Sequence, residues 1–570
     1  MKIHHFCLIL LISVLFFSCR DTGRDPLSEE ELHILYAESQ IHLIDFFEEW
    51  QAYTMEMSRM LPMRNSSYRE GVDKFTVTKE AARLFGELST SSRELIRSSD
   101  LRESYFISGS SKILRAFTYQ MIIDLSNEYE LAPVSGEVPS LNGNTSQGFY
   151  AGFPQDSNYM LSIGLLSEAV DDLEKSQESP VADLFFAGDA NKWIRLANSL
   201  KLRAYNNTRL VDENAREEIN KIIQDGQLIE DISEDFQYRY QSAPGREGEL
   251  APLFELTYRD NGDWQPPFMS NYFMWLLTEE KSVADPRSSF YFYRQVPDFT
   301  SPDRVAICPN FEVLGQGGVI PETPQHYKDI DGNMPYCIAS EAGYYGRDHG
   351  NGMGPSDDKE SRTLIGLYPF GGKFDDNSFE RGAGNSRGTG ENLALLPMLH
   401  ASHMYFIRAE AALTIGTQDN PIIMLEEGIR KSFEKVRSFA VNLDPDFRPD
   451  SCLLPVCESV GEILNRLQME EENYINYVLY QYNRVATVEE KLDIIMKEYL
   501  IALWGNGFEA YNNYRRTAMP LNIQPLLDPV AIDPIGFPRV APEIFRGFGG
   551  PLPYVNDTVF WDTNDPSLFR

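Results

Sequence analysis

The chain has 570 residues and a formal net charge of −34, from 51 lysines and arginines against 85 aspartates and glutamates. Because 42% of its residues are hydrophobic, it can bury a large core, so we expect one large folded domain or two. The acidic balance argues against nucleic acid as a partner, since binding to phosphates requires a basic patch. The acidity is better explained by the solubility of an exported protein than by recognition of a cationic ligand.

The first 18 residues have the layout of a bacterial lipoprotein signal peptide. Lys2 supplies positive charge, the apolar run 8–17 is too short to span a bilayer, and the small Ser18 precedes Cys19. We predict that residues 1–18 are removed and that Cys19 is acylated, which anchors the mature protein to a membrane outside the cytoplasm. The alternative is an unmodified thiol at the end of an ordinary secretory signal. Residues 19–30 are then a lipidated tether, and residues 31–570 are the folded body.

The spacing of apolar residues near 3.6 predicts a series of long helices. They cover residues 32–50, 112–125, 159–173, 193–205, 398–413, 424–439, 460–482, 488–504 and 508–516. Between about residues 243 and 393 this spacing fades, and Gly, Pro, Asp, Asn and aromatic residues indicate a long loop-rich insert. The break at Gly505-Asn506-Gly507 predicts that the last two helices form an antiparallel pair.

Four cysteines remain after removal of the signal peptide and lipidation, an even number that is compatible with two disulfides in an exported chain. They are Cys308, Cys337, Cys452 and Cys457. Cys452 and Cys457 could close a small loop, but the pairing is left open. Structural zinc is the weaker alternative, because the chain has no Cys-x-x-Cys pair.

Several motifs have both a functional and a structural interpretation, and the structural one is favoured for each. Gly382, Gly384, Gly388 and Gly390 lack the spacing of a phosphate-binding loop and indicate a flexible loop. His400 and His403 lie three residues apart but lack the His-Glu-x-x-His pattern, which favours a buried or hydrogen-bonded pair over a metal site.

The stretch 343–352 collects tyrosines, Arg347, Asp348 and His349 between glycines. Asp348 and His349 could bind a metal or a sugar hydroxyl, whereas a loop held by hydrogen bonds of Arg347 and Asp348 is the favoured alternative. Residues 260–263 and 329–333 resemble fragments of calcium loops, but both lack the downstream glutamate and are interpreted as acidic turns. We therefore expect no required cofactor, and structural calcium stays an alternative.

Short motifs along the whole mature chain resemble those of SusD/RagB family nutrient-binding outer-membrane lipoproteins of the Bacteroidetes. The matching residues are Asn198 to Arg203 (Asn-Ser-Leu-Lys-Leu-Arg), Asp285-Pro286-Arg287, Gly346 to His349, Tyr405 to Ala411, Glu498-Tyr499, Gly507 to Ala510, Tyr514 to Thr517, Phe537-Pro538-Arg539 and Phe560-Trp561-Asp562. The resemblance implies a mostly α fold, with tetratricopeptide-like helix pairs packed against a large loop-rich region that forms the ligand face. It also implies an outer-membrane location, facing outwards, and a SusC-like TonB-dependent transporter as partner.

The function that this resemblance implies is non-enzymatic capture of a nutrient, an oligosaccharide or, as in some relatives, a peptide. A lipid-anchored glycoside hydrolase with a carboxylate pair in the insert is the alternative, although 85 acidic residues supply so many pairs that the sequence singles none out. Because sugar rings pack well on flat aromatic faces, we predict ligand contacts for the aromatic residues of the insert. The candidates are Trp264, Trp275, Tyr344 and Tyr345. Arg515 and Arg516 are interpreted as ion-paired residues at a helix end.

Overall fold

The structure is a computed structural model that describes residues 25–68, 79–126, 155–177, 182–259, 267–298, 322–351, 360–382, 390–441, 460–528, 536–540 and 558–569. Several predictions concern residues outside these ranges: Cys19, residues 260–263 with Trp264, Cys308, Gly384, Gly388, Cys452 and Cys457. Within the described residues the protein is mostly α-helical and is built from tetratricopeptide-like helix pairs, which confirms the predicted fold class.

Long helices occupy both halves of the chain, and short elements lie between them. The first group is α1 (Glu29–Met57), α2 (Lys79–Arg102), α3 (Tyr105–Ser126), α4 (Gln155–Lys175), α5 (Ala190–Thr208) and α6 (Ala215–Asp225). The short elements are β1 (Phe236–Arg239), α7 (Pro252–Tyr258), α8 (Asn271–Thr278), α9 (Ser288–Tyr291), β2 (Phe292–Tyr293), α10 (Gln325–Lys328), β3 (Leu364–Ile365) and β4 (Leu395–Leu399). The second group is α11 (Ala401–Ile415), α12 (Pro421–Val441), α13 (Val460–Arg484), α14 (Val488–Ala502) and α15 (Gly507–Thr517).

Local capping explains where several of these helices begin and end. Ser28 forms a capping box with Glu31 at the start of α1, in which the Ser28 hydroxyl accepts from the Glu31 amide and the Glu31 carboxylate accepts from the Ser28 amide. Thr487 and Glu490 form the same arrangement at α14. Gly226 ends α6 in the left-handed conformation, with φ of 66°.

Consecutive helices pack against each other, which produces the series of helix pairs. In the first group each helix contacts the next, from α1 through α6, and in the second group α11 packs on α12 and α14. The last helix, α15, packs against the first, so it joins the two ends of the chain. Every side chain of α3 from Phe106 to Ser126 is buried, which identifies α3 as a central helix. None of the helices in the described residues is both long enough and apolar enough to span a bilayer.

The structure differs from the sequence-based expectation in two respects: one predicted helix starts later, and two helices were missed. Met398 and Leu399 belong to β4 rather than to a helix, because 395–399 pairs antiparallel with β1 and the helix begins only after His400. The helices α2 and α6 were not predicted from the apolar spacing, and both pack against neighbouring long helices. The second sheet is a two-residue antiparallel pair of β2 with β3.

The loop-rich insert contains short helices and strands, and much of it is buried. Residues 269–277 and 290–293 are almost entirely inaccessible to solvent, as are 364–374. Trp504, two residues after the end of α14, packs against Phe273 and Tyr291 of the insert, with ring centroids 5.1 and 5.9 Å away. The insert therefore shares one hydrophobic core with the helices rather than lying on their surface.

Candidate functional site

Three of the four candidate ligand-binding rings are buried. Trp275 is 4% exposed, Tyr344 is 7% exposed and Tyr345 is 0% exposed. Tyr344 stands edge-on to Phe292 with ring centroids 6.3 Å apart, and the Arg294 guanidinium covers it at 4.9 Å. Because a ring needs an open face to stack on a sugar, the structure corrects the expectation and assigns these three rings to the core. Trp264 lies outside the described residues, so its ligand contact stays a prediction.

The stretch 343–351 is held tightly against the segment before α8. The Arg347 amide donates to the Met269 carbonyl at 2.8 Å, and the Asn271 amide donates to the Arg347 carbonyl at 3.0 Å. The Gly346 amide donates to Asn271 Oδ1 at 2.8 Å. A Cβ atom at Gly346 would lie 1.7 Å from the Met269 carbonyl oxygen, so only glycine fits. This close approach explains the glycine of the Gly346 to His349 motif.

Asp348 and His349 point into this buried structure and are already hydrogen-bonded. Burial raises the pKa of Asp348, and three donors oppose that effect. The donors are Asn271 Nδ2 at 3.1 Å, Gln524 Nε2 at 3.1 Å and the Cys337 amide at 2.9 Å. His349 Nδ1 accepts from the Met63 amide at 3.3 Å, and burial lowers the pKa of His349 well below its usual value. The loop is thus held by hydrogen bonds, including one from Arg347 to the Gly346 carbonyl at 2.9 Å.

The pair of histidines before and within α11 is a buried helix cap. The His400 amide donates to His403 Nδ1 at 3.1 Å, and the two rings stack with centroids 5.0 Å apart. Burial lowers the pKa of His403 to about 3. Across the described part of the chain, no group of three or more His, Cys, Asp or Glu side chains is arranged to hold a metal ion. The favoured interpretation of a buried pair is confirmed.

Asp331, in the acidic turn 329–333, and Cys337 also have structural roles. Asp331 Oδ1 accepts from the Asn333 amide at 2.9 Å, and its Oδ2 accepts from Asn522 Nδ2 at 3.0 Å. Cys337 is disulfide-bonded, in agreement with the predicted use of cysteines in disulfides. Cys452 and Cys457, whose pairing stays open, lie outside the described ranges.

One buried charge network joins motif residues from both halves of the chain. Arg203 of α5 donates to Asp124 at 2.9 Å and to Glu509 of α15 at 2.7 Å. Asp124 also accepts from Asn512 Nδ2 at 3.1 Å and from the Trp561 indole at 2.9 Å. Burial by itself would lower the pKa of Arg203. The negative charges of Glu509 and Asp124 outweigh this effect and raise the pKa of Arg203 above its ordinary value. Asp124 thus joins residues of several motifs and connects α3, α5, α15 and the C-terminal segment.

A second network surrounds Glu410 of α11. Its carboxylate pairs with Arg209 at 2.8 Å and with Arg516 at 2.6 Å, and it accepts from Asn206 Nδ2 at 3.0 Å. Burial raises the pKa of Glu410, but Arg209 and Arg516 outweigh this effect and lower the pKa to about 2. Arg516 is thus paired near a helix end, as predicted, although it is fully buried. Its neighbour Arg515 donates instead to the Arg539 carbonyl at 2.8 Å.

Three arginines surround one phenylalanine ring beside the 343–351 stretch. The guanidinium carbons of Arg362, Arg347 and Arg64 lie 3.7, 4.3 and 5.0 Å from the centroid of the Phe268 ring. Arg347 and Arg362 are each 1% exposed, whereas Arg64 and Phe268 are only partly buried. We call these four residues the arginine cluster. The sequence analysis missed it because Arg64, Phe268 and Arg362 belong to no local motif.

Comparison with known families finds two matches that together span most of the chain. Residues 38–302 match a family model described as "Starch-binding associating with outer membrane", of the SusD-like type. Residues 377–529 match a second SusD-like family model, described as "Susd and RagB outer membrane lipoprotein". No curated protein matches the chain.

Solved structures share the fold at low sequence identity. A SusD homolog from Parabacteroides distasonis superposes with a TM-score of 0.60 at 15% identity, over 94% of this chain and 98% of that one. A chitin-binding SusD homolog from Flavobacterium johnsoniae superposes with a TM-score of 0.59 at 17% identity, over 93% of this chain and 99% of that one. A SusD homolog from Bacteroides vulgatus superposes with a TM-score of 0.54 at 18% identity, over 91% of this chain and 94% of that one. At these identities the likeness establishes the fold.

Proposed function

Because this chain belongs to the SusD/RagB family of outer-membrane lipoproteins, we propose that it binds a nutrient glycan at the outer membrane for import. The observation that carries the proposal is that SusD-like family models match both halves of the chain, at residues 38–302 and 377–529. The proposed partner is a SusC-like TonB-dependent transporter, and the proposed anchor is the acylated Cys19, with the folded body facing outwards.

A glycan is favoured as the ligand for two reasons. The family model that matches the first half is described as starch-binding, and one structure with the same fold is a chitin-binding homolog. A peptide is the alternative ligand. Either ligand would require open side chains, and among the aromatic candidates of the insert Trp264 is the one that remains.

The protein is proposed to bind its ligand without altering it. In the described residues Asp124 and the motif carboxylates Glu410 and Glu509 are all buried and engaged by arginines or hydrogen-bond donors. Carboxylates in such positions stabilise the fold and have no open space for a glycosidic bond. What supports a binding role over the hydrolase alternative is the family, whose matching models are described as starch-binding and as outer-membrane lipoproteins.

The experiment is a ligand screen with the purified chain from residue 20 onwards, which lacks the lipid. We expect thermal shift and calorimetry to detect a bound oligosaccharide, which is recovered unchanged after long incubation. Binding of peptides alone would favour the peptide alternative, and release of shortened sugars at turnover rates would favour the hydrolase. Failure of every glycan and peptide to bind would contradict the proposed function.

The partner is tested separately. The lipidated protein, extracted from outer membranes in mild detergent, is expected to copurify with a TonB-dependent barrel. Isolation of the protein without a barrel under conditions that preserve other outer-membrane complexes would contradict the proposed partnership.

A further inference from the structure

Three carboxylates share a single guanidinium where helix α1 meets the chain that follows β1. We call residues 240–250 the connecting segment, because they lead from β1 to α7 and so into the loop-rich insert. The guanidinium of Arg246 donates to Asp45 Oδ1 of α1 and to Glu249 Oε1, each at 2.6 Å. The third carboxylate, Glu48, lies about one helical turn after Asp45 on α1. Both ends of the guanidinium are therefore engaged by the other two carboxylates.

The Glu48 carboxylate has a neutral partner instead of a cation. Its Oε1 accepts from the hydroxyl of Tyr240, and within the described residues it makes no other hydrogen bond or ion pair. Tyr240 is 4% exposed and Glu48 is partly buried. The ring of Tyr238 lies beside that of Tyr240, with centroids 5.4 Å apart, and its hydroxyl donates to Glu249 at 2.7 Å. When all three carboxylates are ionised, three negative charges thus surround one positive charge.

The groups that act most strongly on Glu48 come from α1 itself and from the connecting segment. They are Tyr240, Glu249, Asp45 and Arg246. The helices α2, α3 and α15 also pack on α1 but supply none of these groups. The pKa of Glu48 is raised to about 7, chiefly by burial and further by the like charges of Glu249 and Asp45, while Tyr240 and Arg246 oppose this shift. Glu48 therefore becomes charged near neutral pH, where exposed carboxylates are already ionised.

We propose that the contact between Glu48 and Tyr240 is a pH-sensitive link between α1 and the connecting segment, closed while the Glu48 carboxyl is protonated and weakened when it ionises. A neutral carboxyl keeps its hydrogen bond to the phenol and is not repelled by Asp45 and Glu249, whereas the ionised form is repelled by both and is poorly solvated. The connecting segment should then separate from α1 more readily at pH 8 than at pH 6. Because this segment leads into the insert, the pH response arises where the helix pairs join the insert.

The direction of the effect follows from the protonation of Glu48 in the two states. When the segment has separated, Glu48 has its ordinary pKa of 4.5, and in the closed contact its pKa is about 7. The stabilisation by the protonated carboxyl is therefore fully present below pH 4.5 and is lost as the pH rises through 7. By this linkage, the ratio of separated to closed segments should increase about tenfold from pH 6 to pH 8.

Hydrogen–deuterium exchange of the lipid-free protein at pH 6 and pH 8 measures this separation. Each exchange rate is divided by the intrinsic rate of an unfolded peptide at the same pH, which gives a protection factor. Peptides that cover the connecting segment report its opening, and peptides of the buried helix α3 are the internal reference. We expect the protection of the segment to fall about tenfold from pH 6 to pH 8, while that of α3 stays constant.

Variants identify the group that responds to pH. Glu48→Gln keeps a hydrogen-bond acceptor for Tyr240 but cannot ionise, so the segment should be equally protected at both pH values. Glu249→Gln removes one of the like charges and should reduce the pH dependence. Glu30→Gln is the matched control, because Glu30 is exposed on α1, and it should respond to pH like the wild type. Melting temperatures confirm that each variant is folded, and Glu249→Gln provides the test if Glu48→Gln is not.

Three outcomes overturn the inference. The first is equal protection of the connecting segment at pH 6 and pH 8 in the wild type. The second is a pH response that persists unchanged in Glu48→Gln. The third is a loss of protection that α3 shares, since that would be a change of the whole protein and not of this contact. The experiment contains no ligand, so its result is independent of the proposed function.

Discussion

The indole Nε1 of Trp561 donates a hydrogen bond of 2.9 Å to Oδ1 of Asp124, a residue 437 positions earlier in the chain. Both side chains are 0% exposed. The other carboxylate oxygen of Asp124 binds Arg203 and Asn512, so a single carboxylate connects a central helix, two other helices and the C-terminal segment. The protein is therefore closed by polar contacts between distant segments as well as by its apolar core.

Asp124→Asn should destabilise the protein, because Arg203 would lose one of its two buried counter-ions. Removing one partner of a buried ion pair leaves charge uncompensated, and we expect the free energy of unfolding to fall by about 3 kcal/mol. Urea denaturation measures this free energy of unfolding for the wild type and the variant. Asp171→Asn, on the exposed face of α4, is the control and should change the value by less than about 0.5 kcal/mol. Equal effects of the two substitutions would show that the network contributes little.

Glu410 should make stability depend on pH in the acidic range. Its pKa is about 2 in the folded protein, against an ordinary value of 4.5, so its contribution is fully present above pH 4.5 and is lost as pH falls towards 2. That contribution is about 3 kcal/mol. The difference in unfolding free energy between wild type and Glu410→Gln should therefore shrink by about this amount from pH 6 to pH 2. A difference that stays constant with pH would contradict the pairing with Arg209 and Arg516.

Gly346→Ala should be strongly destabilising, since its Cβ atom would lie 1.7 Å from the Met269 carbonyl oxygen. Both segments are fixed by backbone hydrogen bonds, and relief requires a backbone shift that costs about 3 kcal/mol. Gly248→Ala is the matched control, because nothing lies within 4 Å of its added Cβ atom. Thermal unfolding followed by circular dichroism compares the two. A normal melting temperature for Gly346→Ala would mean that the 346–347 segment separates readily from 269–271.

Trp264→Ala should weaken binding of the oligosaccharide found in the screen by about tenfold, if the indole stacks on a sugar ring. Trp275→Phe is the control from the same insert, because its ring is 4% exposed and has no open face. It should lower the melting temperature and leave the affinity unchanged. Calorimetry with both variants decides whether Trp264 contacts the ligand, and an unchanged affinity of Trp264→Ala would exclude it.

Cys19→Ser should release the protein from the membrane, because the acyl chains would be missing. Fractionation of cells followed by immunoblotting is the measurement, with mass spectrometry of the wild-type amino terminus as its complement. Ser18→Ala keeps a small residue before the cysteine and should leave the protein in the membrane fraction. Membrane retention of Cys19→Ser would indicate attachment by another route.

The sequence by itself determined most of the long helices in both halves, though not α2 and α6, and it determined the family. The predicted helix over 193–205 lies within α5, and that over 488–504 nearly coincides with α14, because a 3.6-residue period is a property of neighbouring residues. Periodicity misassigned Met398, since strand pairing with β1 depends on residues more than 150 positions away. The short motifs likewise identified the family without any knowledge of their contacts.

Only the tertiary structure decided what those residues contact. The sequence marked Trp275, Tyr344 and Tyr345 as aromatic, but their burial depends on segments that pack over them from elsewhere in the chain. The partners of Arg203 lie 79 and 306 positions away, and the three arginines around Phe268 come from separate loops. Burial and ion pairing are properties of contacts between distant segments, so local spacing carries no signal for them.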